Sequence, residues 1–400
     1  MNVLFLMFVY PDGYKSYNMY TTLASEFVKD GHKVIVIAPA EKFQKTTSRI
    51  EMGVEVVRVR TLPLKNVSPI IKGFSNLLLP CQFRRAIRGI EAHTRFDLII
   101  LPTPPITLAG LAGALRKRHN SQLYLILRDI FPQNAIDLGF FKEGGLVHRY
   151  FRSKEKKLYR VANHIGCMSP RNIQYVLKNN PWIELAKLHE LKNFQIQYYD
   201  DGSLKQEIRQ KYDLENKYVV VFGGNMGKPQ QLENVIELAR RCQKFTDVLF
   251  LLLGEGVMVE RLRKDVRRIS VTNVRIVNTI PKREYQKLLS SCDLGLISLN
   301  MCFTIPNIPS KTLDYFNVGL PVLASIDKAT DFNLILEESG AGLWSYAGEH
   351  DAFMSNFELL YHNADLRKKM AENGRAYFLK NLTPDTAYRT IISTVTKSYN

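Results

Sequence analysis

The stretch that decides the fold is Phe303–Ser325, FTIPNIPSKTLDYFNVGLPVLAS. It reads as a loop, one short helix, a glycine and a buried strand. Ser310 after Pro309 is the expected N-cap, and the spacing predicts a helix over 311–318. Gly319 fits the position after a helix end and Pro321 cannot continue a helix, so the apolar LPVLAS is read as a strand. A helix that opens at the end of a loop presents unpaired N–H groups and a partial positive charge, which suits phosphate. Lys311 adds a full charge to the first turn. Asp314 lies one turn on, where a carboxylate can accept from ribose hydroxyls. A capped surface helix with a weak Lys311–Asp314 pair explains the same residues, so the rest of the chain has to decide.

Around this stretch, apolar runs alternate with helical patterns from the first residue. Strands are expected at 2–9, 33–39, 54–60, 97–101, 122–127 and 163–167, and again at 218–224, 248–256, 274–280, 292–299 and 320–325. Continuous apolar strands separated by helices define parallel sheets covered on both faces, an α/β chain of two doubly wound Rossmann-like domains. The expected boundaries are 1–198 and 199–383, with the last of three closing helices, 384–400, packing back on the first domain. The first strand-to-helix junction, Pro11-Asp12-Gly13, lacks the GxGxxG spacing of a nicotinamide-dinucleotide site, but Gly13 is a candidate substrate-binding position.

Of 400 residues, 55 are basic and 38 acidic, a net charge of +17, which calls for an acidic partner. The five cysteines show no metal or CxxC spacing and are read as reduced thiols of a cytoplasmic protein. The N-terminal VLFLMFV run has no basic region before it and no cleavage site after it, so it is read as a strand. No window approaches a spanning helix, and the expectation is a protein soluble or peripheral on the membrane. The eight histidines are scattered, and no DxD motif or metal cluster is expected.

Three loops join the opening stretch as candidates. In GGNMGKPQQLE (223–233), Gly223, Gly224 and Gly227 allow close backbone approach, Lys228 is placed to neutralise phosphate, and Asn225 and Gln231 are candidate contacts. Gly254 and Glu255 follow a strand and could meet a base or sugar edge. Thr279 and Ile280 end another strand and could flank a base. With Pro309, Ser310, Lys311 and Asp314 they describe a nucleoside-diphosphate pocket, although each loop alone could be an ordinary turn. In the first domain, RDIFPQNAIDLG (128–139) puts Arg128, Asp129 and Asn134 after a buried strand, where a reacting group or a structural ion pair would sit.

Two basic segments stand out. Residues 58–95 hold Arg58, Arg60, Lys65, Lys72, Arg84, Arg85, Arg88 and Arg95 against Glu91, and residues 142–160 hold seven basic side chains against two glutamates. Apolar residues interleave with both, which suits an anionic membrane surface. Solvated helix faces are the plain alternative, and no signature supports nucleic-acid binding.

Four segments together resemble a family. ASEFVKDGHKVIVIAP, RDIFPQNAIDLG, GGNMGKPQQLENVIELA and IPSKTLDYFNVGLPVLAS are similar to motifs of GT-B fold glycosyltransferases of family 4, in the branch that builds bacterial O-antigen, capsule and other surface polysaccharides. The resemblance implies a retaining, metal-independent transfer without cofactor, from a nucleotide-diphosphate sugar, a UDP-sugar being the expected donor. It implies an acceptor that is a polyprenyl-diphosphate-linked saccharide, at the inner face of the cell membrane. The donor would lie on the second domain and the acceptor on the first, with Lys228 and Lys311 stabilising the leaving diphosphate and Asp129 serving the acceptor. The sequence departs from the family pattern at two places. The E-x7-E motif has Pro306 for its first acid and Asp314 for its second, and Arg128 stands where many members have histidine. A nucleotide-sugar 2-epimerase and a non-catalytic membrane- or RNA-binding scaffold are the alternative readings.

Overall fold

The apolar runs form two sheets, seen in a computed structural model that describes residues 1–12, 17–40, 44–64, 67–199, 202 and 204–397. The chain divides into two units: Met1–Ile196 with Pro384–Asn400, and Gln197–Thr383.

The first unit is built on strands β1 (Asn2–Leu6), β2 (Lys33–Pro39), β3 (Thr47–Glu51), β4 (Val54–Val59), β5 (Leu98–Pro102), β6 (Gln122–Leu127), β7 (His164–Cys167) and β8 (Leu188–Glu190). Their spatial order is β3-β4-β2-β1-β5-β6-β7-β8. All neighbours run parallel except β3 and β4, a hairpin turned at Met52 (φ 53°) and Gly53 (φ 81°). Positive φ at both turn residues is what a two-residue loop needs to match the twist of its strands. β3 was not expected from the sequence. It is an edge strand exposed at four of its five residues, so it carries no apolar run. β8, an edge strand of only three residues (Leu-His-Glu), is too short to show an apolar run.

On one face of this sheet the helix Met19–Lys29 packs with the closing helix Pro384–Lys397. The Phe27 and Tyr388 rings meet edge to face at 4.8 Å, and Ala387, Ile391 and Val395 join the core of Val3, Phe5 and Val36. The C-terminal helix thus belongs to the first unit. On the other side, helices Pro69–Glu91 and Leu146–Val161 both pack on the segment Ile106–His119 and form one layer.

The second unit holds β9 (Tyr218–Gly223), β10 (Val248–Leu253), β11 (Val274–Val277), β12 (Leu294–Ser298), β13 (Val322–Ile326) and β14 (Gly342–Tyr346), all parallel, in the order β11-β10-β9-β12-β13-β14. β9, β10, β12 and β13 are buried along their full length, as strands covered on both faces must be. β14, a short and mostly half-buried edge, was also not expected.

The helix from the opening stretch runs Lys311–Val318 and ends at Gly319 in the left-handed conformation (φ 67°). The N-cap expectation fails. Ser310 has helical dihedrals, is exposed and makes no capping hydrogen bond. At the other end, the Asn317 side-chain oxygen accepts from the Tyr198 amide at 2.9 Å. Arg375 donates to that same oxygen at 2.6 Å and to the Tyr198 carbonyl at 2.8 Å.

Candidate active site

In the second sheet, the chain moves outward from β9 to β10 and β11, then returns to start β12 on the other side of β9. Connections leaving β9 and β12 therefore diverge, and the crevice at their C-terminal ends is where doubly wound sheets receive ligands. Tyr315 sits under this crevice, fully buried. Its hydroxyl accepts from the Gly223 amide at 3.2 Å and lies 3.0 Å from the Leu296 carbonyl, bracing β9 to β12.

Glycines bring the loops together. A Cβ on Gly254 (φ 145°) would fall 1.9 Å from the Gly224 carbonyl oxygen, so no other residue fits there. The Met226 amide donates to the Glu255 carbonyl at 2.8 Å, and the Met258 amide to the Met226 carbonyl at 3.1 Å. The β12 loop is fastened to the same segment. The Asn300 amide donates to the Pro229 carbonyl, its side chain to the Lys228 carbonyl, and the Met301 amide to the Gln231 side-chain oxygen at 2.8 Å. Gln231, expected as a ligand contact, thus uses its oxygen within the protein.

Lys311 enters between these loops. Its Nζ donates to Gln230 Oε1 at 2.6 Å, stands 4.5 Å from the centre of the Phe222 ring, and lies beside the bare backbone of Gly224. Burial pushes its ammonium down to about 8, and the Asp314 carboxylate opposes that shift. The ammonium therefore stays charged at neutral pH but is poorly solvated, a state that gains from an incoming anion. Asp314 also acts on Lys282 and Tyr285 of the helix Lys282–Ser290. One carboxylate thus serves two ammonium groups. Gly224, Asn225, Lys228, Glu255, Thr279 and Ser310 are exposed around this centre, and Pro309 is buried. Gln230 and Lys282 were missed in the sequence.

In the first unit, Arg128 is buried. Its guanidinium donates to the Leu191 carbonyl at 3.0 Å, and its carbon lies 5.6 Å from the centre of the Phe194 ring. Those contacts are structural. The Arg128 backbone amide is held by Thr103 Oγ1 at 2.9 Å, which fixes the turn that presents Asp129. Asp129 remains solvent-accessible, yet the protein packed around it raises its carboxyl above the usual value, with Arg128 opposing. The buried side-chain oxygen of Asn134 has no hydrogen-bond partner among the described residues. Gly13 lies outside the described residues.

The basic segments separate into two kinds of residue. Arg58 is not on the surface: it makes a buried ion pair with Glu51 at 2.8 Å and also donates to the Tyr10 and Pro11 carbonyls. Arg152 pairs with the buried Glu155, and Arg95 donates to the His119 carbonyl. Arg60, Arg84, Arg85 and Arg88 are exposed, while Lys65 and the Lys72 side chain fall outside the described residues. Along the helix Pro69–Glu91, positions 71, 74, 78, 81, 85 and 88 form one exposed stripe, against Leu79, Phe83 and Ile87 buried on the opposite side. Ile71, Phe74, Leu77 and Leu78 are between 46% and 62% exposed, and in the neighbouring segment Leu146 is 85% exposed. No helix among the described residues is long and apolar enough to cross a membrane.

The paired parallel sheets and the returning C-terminal helix define a GT-B fold, shared with solved structures. A crystal structure of Anabaena HepE in complex with UDP matches with a TM-score of 0.73 over 99% of this chain and 100% of that one, at 15% identity. Residues 18–182 match the model of the glycosyl transferase 4-like domain, and residues 205–377 that of the glycosyl transferases group 1. The chain belongs to the GT-B glycosyltransferases. Among curated relatives, the probable glycosyltransferase WbjE of Pseudomonas aeruginosa is 23% identical over 270 residues, 65% of either chain. WcaI of Escherichia coli K12, described as a colanic acid biosynthesis glycosyl transferase, is 25% identical over 257 residues, 60% of either chain. The aligned parts thus span less than two thirds of both relatives.

Proposed function

We propose that the protein moves a sugar from a nucleotide-diphosphate donor, a UDP-sugar, to a lipid-linked saccharide acceptor in surface-polysaccharide synthesis. The observation that carries this reading is the Lys311 ammonium, seated among glycine loops at the crevice between β9 and β12. HepE has been crystallised with UDP and with UDP-glucose, and WcaI is named for colanic acid synthesis, both in keeping with the reading.

In the proposed reaction the bond from the anomeric carbon to the β-phosphate oxygen breaks as the acceptor hydroxyl oxygen bonds to that carbon on the same face. The hydroxyl proton passes to the departing phosphate. Negative charge growing on the diphosphate would be met by Lys311 and Lys228, with the glycine loops giving the phosphates close access. Asp129, in the acceptor-binding first unit, would orient the incoming hydroxyl. The second unit would hold the donor.

The acceptor's lipid would place the enzyme on an anionic membrane, at its cytoplasmic face. The exposed stripe of Ile71, Phe74 and Leu78 followed by Arg85 and Arg88 supports that surface, because it joins apolar side chains to cations on one helix face.

The test of the donor reading is a thermal-shift screen of the whole protein against UDP, GDP, CMP and dTDP. A ligand that binds only the folded state raises Tm by mass action. A clear shift with UDP supports the reading, a shift with GDP alone changes the base, and no shift with any nucleotide removes the pocket.

A further inference from the structure

We propose that Gln230 is a positioning residue for the donor diphosphate, its side-chain carbonyl holding the Lys311 ammonium beside the Gly224 backbone without neutralising it. The inference rests on the nucleotide-donor reading of this pocket and goes beyond it by assigning a part to a residue that need not touch the ligand.

The geometry is specific. Gln230 closes the 3₁₀ turn Lys228–Gln230, and Gln231 after it takes the left-handed conformation (φ 39°). This turn is pinned from the β12 side: Asn300 holds the Pro229 and Lys228 carbonyls, Ser298 Oγ donates to the Gln231 carbonyl at 3.2 Å, and Met301 holds the Gln231 side chain. The two adjacent glutamines therefore divide the work. Gln231 fixes the turn and Gln230 reaches 2.6 Å to Lys311 Nζ.

Why an amide and not a carboxylate follows from charge. On its own helix Lys311 faces Asp314. The helix Lys282–Ser290 contributes Lys282 and Tyr285, both influenced by Asp314, and the β9 turn contributes Lys228 and Gln230. Lys228, Lys282 and Lys311 against Asp314 leave positive charge in excess. A glutamate at position 230 would reduce it and pair with Lys311, so a phosphate arriving there would meet a lysine already engaged. A neutral acceptor orients the ammonium and keeps its charge for the ligand.

Lys311 titrates near 8 in the free protein, since burial favours the neutral amine. UDP binding should therefore weaken as pH rises through about 8, and calorimetric titration of UDP between pH 6.5 and 9.5 reads both affinity and that alkaline limb. Gln230→Glu is expected to raise the Kd for UDP about tenfold or more at pH 7 and to move the limb upward, because its carboxylate holds the Lys311 proton. Gln230→Met keeps the chain length but removes the acceptor. It is expected to weaken binding several-fold and to move the limb downward, so the inference stays open to test should the glutamate variant not fold. Lys311→Arg should remove the limb. A merely structural role for Gln230 would lower Tm and leave the limb in place. Wild-type affinity and an unmoved limb in a folded Gln230→Glu or Gln230→Met protein overturn the inference, with the donor reading intact. Absence of any nucleotide binding by the wild type overturns both.

Discussion

A Cβ on Gly224 would lie 3.6 Å from Cε and 3.9 Å from Nζ of Lys311, so a side chain at position 224 would crowd the lysine. The bare glycine leaves the ammonium open on that side to a ligand phosphate.

Lys311→Ala removes the buried charge from that arrangement. A charge-assisted hydrogen bond to phosphate supplies ~1.5–3 kcal/mol, so the Kd for UDP should rise by roughly tenfold to more than a hundredfold. Unchanged affinity in a folded variant would take Lys311 out of the site.

Gly254→Ala tests the joining of the β9 and β10 loops. A side chain at φ 145° is strained by about 1–3 kcal/mol before any clash, and its Cβ would overlap the Gly224 carbonyl oxygen. A lowered Tm with loss of UDP binding is expected. A variant with the wild-type Tm would mean that the two loops are free to separate.

Arg58→Ala separates buried from surface charge. Its loss leaves the buried Glu51 to the half-exposed Arg49 at 2.7 Å, a cost of about 1.5–3 kcal/mol for a lost charged hydrogen bond, which a denaturant melt would read. Vesicle binding of the fraction that folds should match the wild type, as Arg58 is paired inside the first unit.

Charge reversal at Arg84, Arg85 and Arg88 acts on the exposed face instead. Salt-sensitive sedimentation with phosphatidylglycerol vesicles should disappear while the UDP thermal shift is retained. Persistent vesicle binding would place the membrane face elsewhere.

The legible part of this molecule is the part governed by local rules. KVIVIAP and QLYLIL became β2 and β6 residue for residue, because buried parallel strands show as unbroken apolar runs. Gly319 ended its helix in the one conformation that favours glycine. What escaped depends on partners far along the chain. β3 exists because β4 pairs with it, and its own residues, Thr47–Glu51, carry little signal. Charge was the least legible property. Arg58 and Arg128 read as surface or ligand cations, yet one neutralises a buried glutamate and the other is tied to backbone carbonyls. Counting arginines cannot reveal which of them are already engaged. Gln230 and Gln231 are adjacent and chemically identical, and only the turn geometry tells which one faces the lysine.

The helix Lys311–Val318 has a second attachment at its far end. Lys311 and Asn317 are six residues apart, a rise of about 9 Å, and Asn317 with Arg375 grips Tyr198, just inside the point where the chain passes from the first unit into the second. The short helix that carries the lysine at one end thus anchors, at its other end, the first residues of the second unit, so one element serves both the pocket and the start of the domain that holds it.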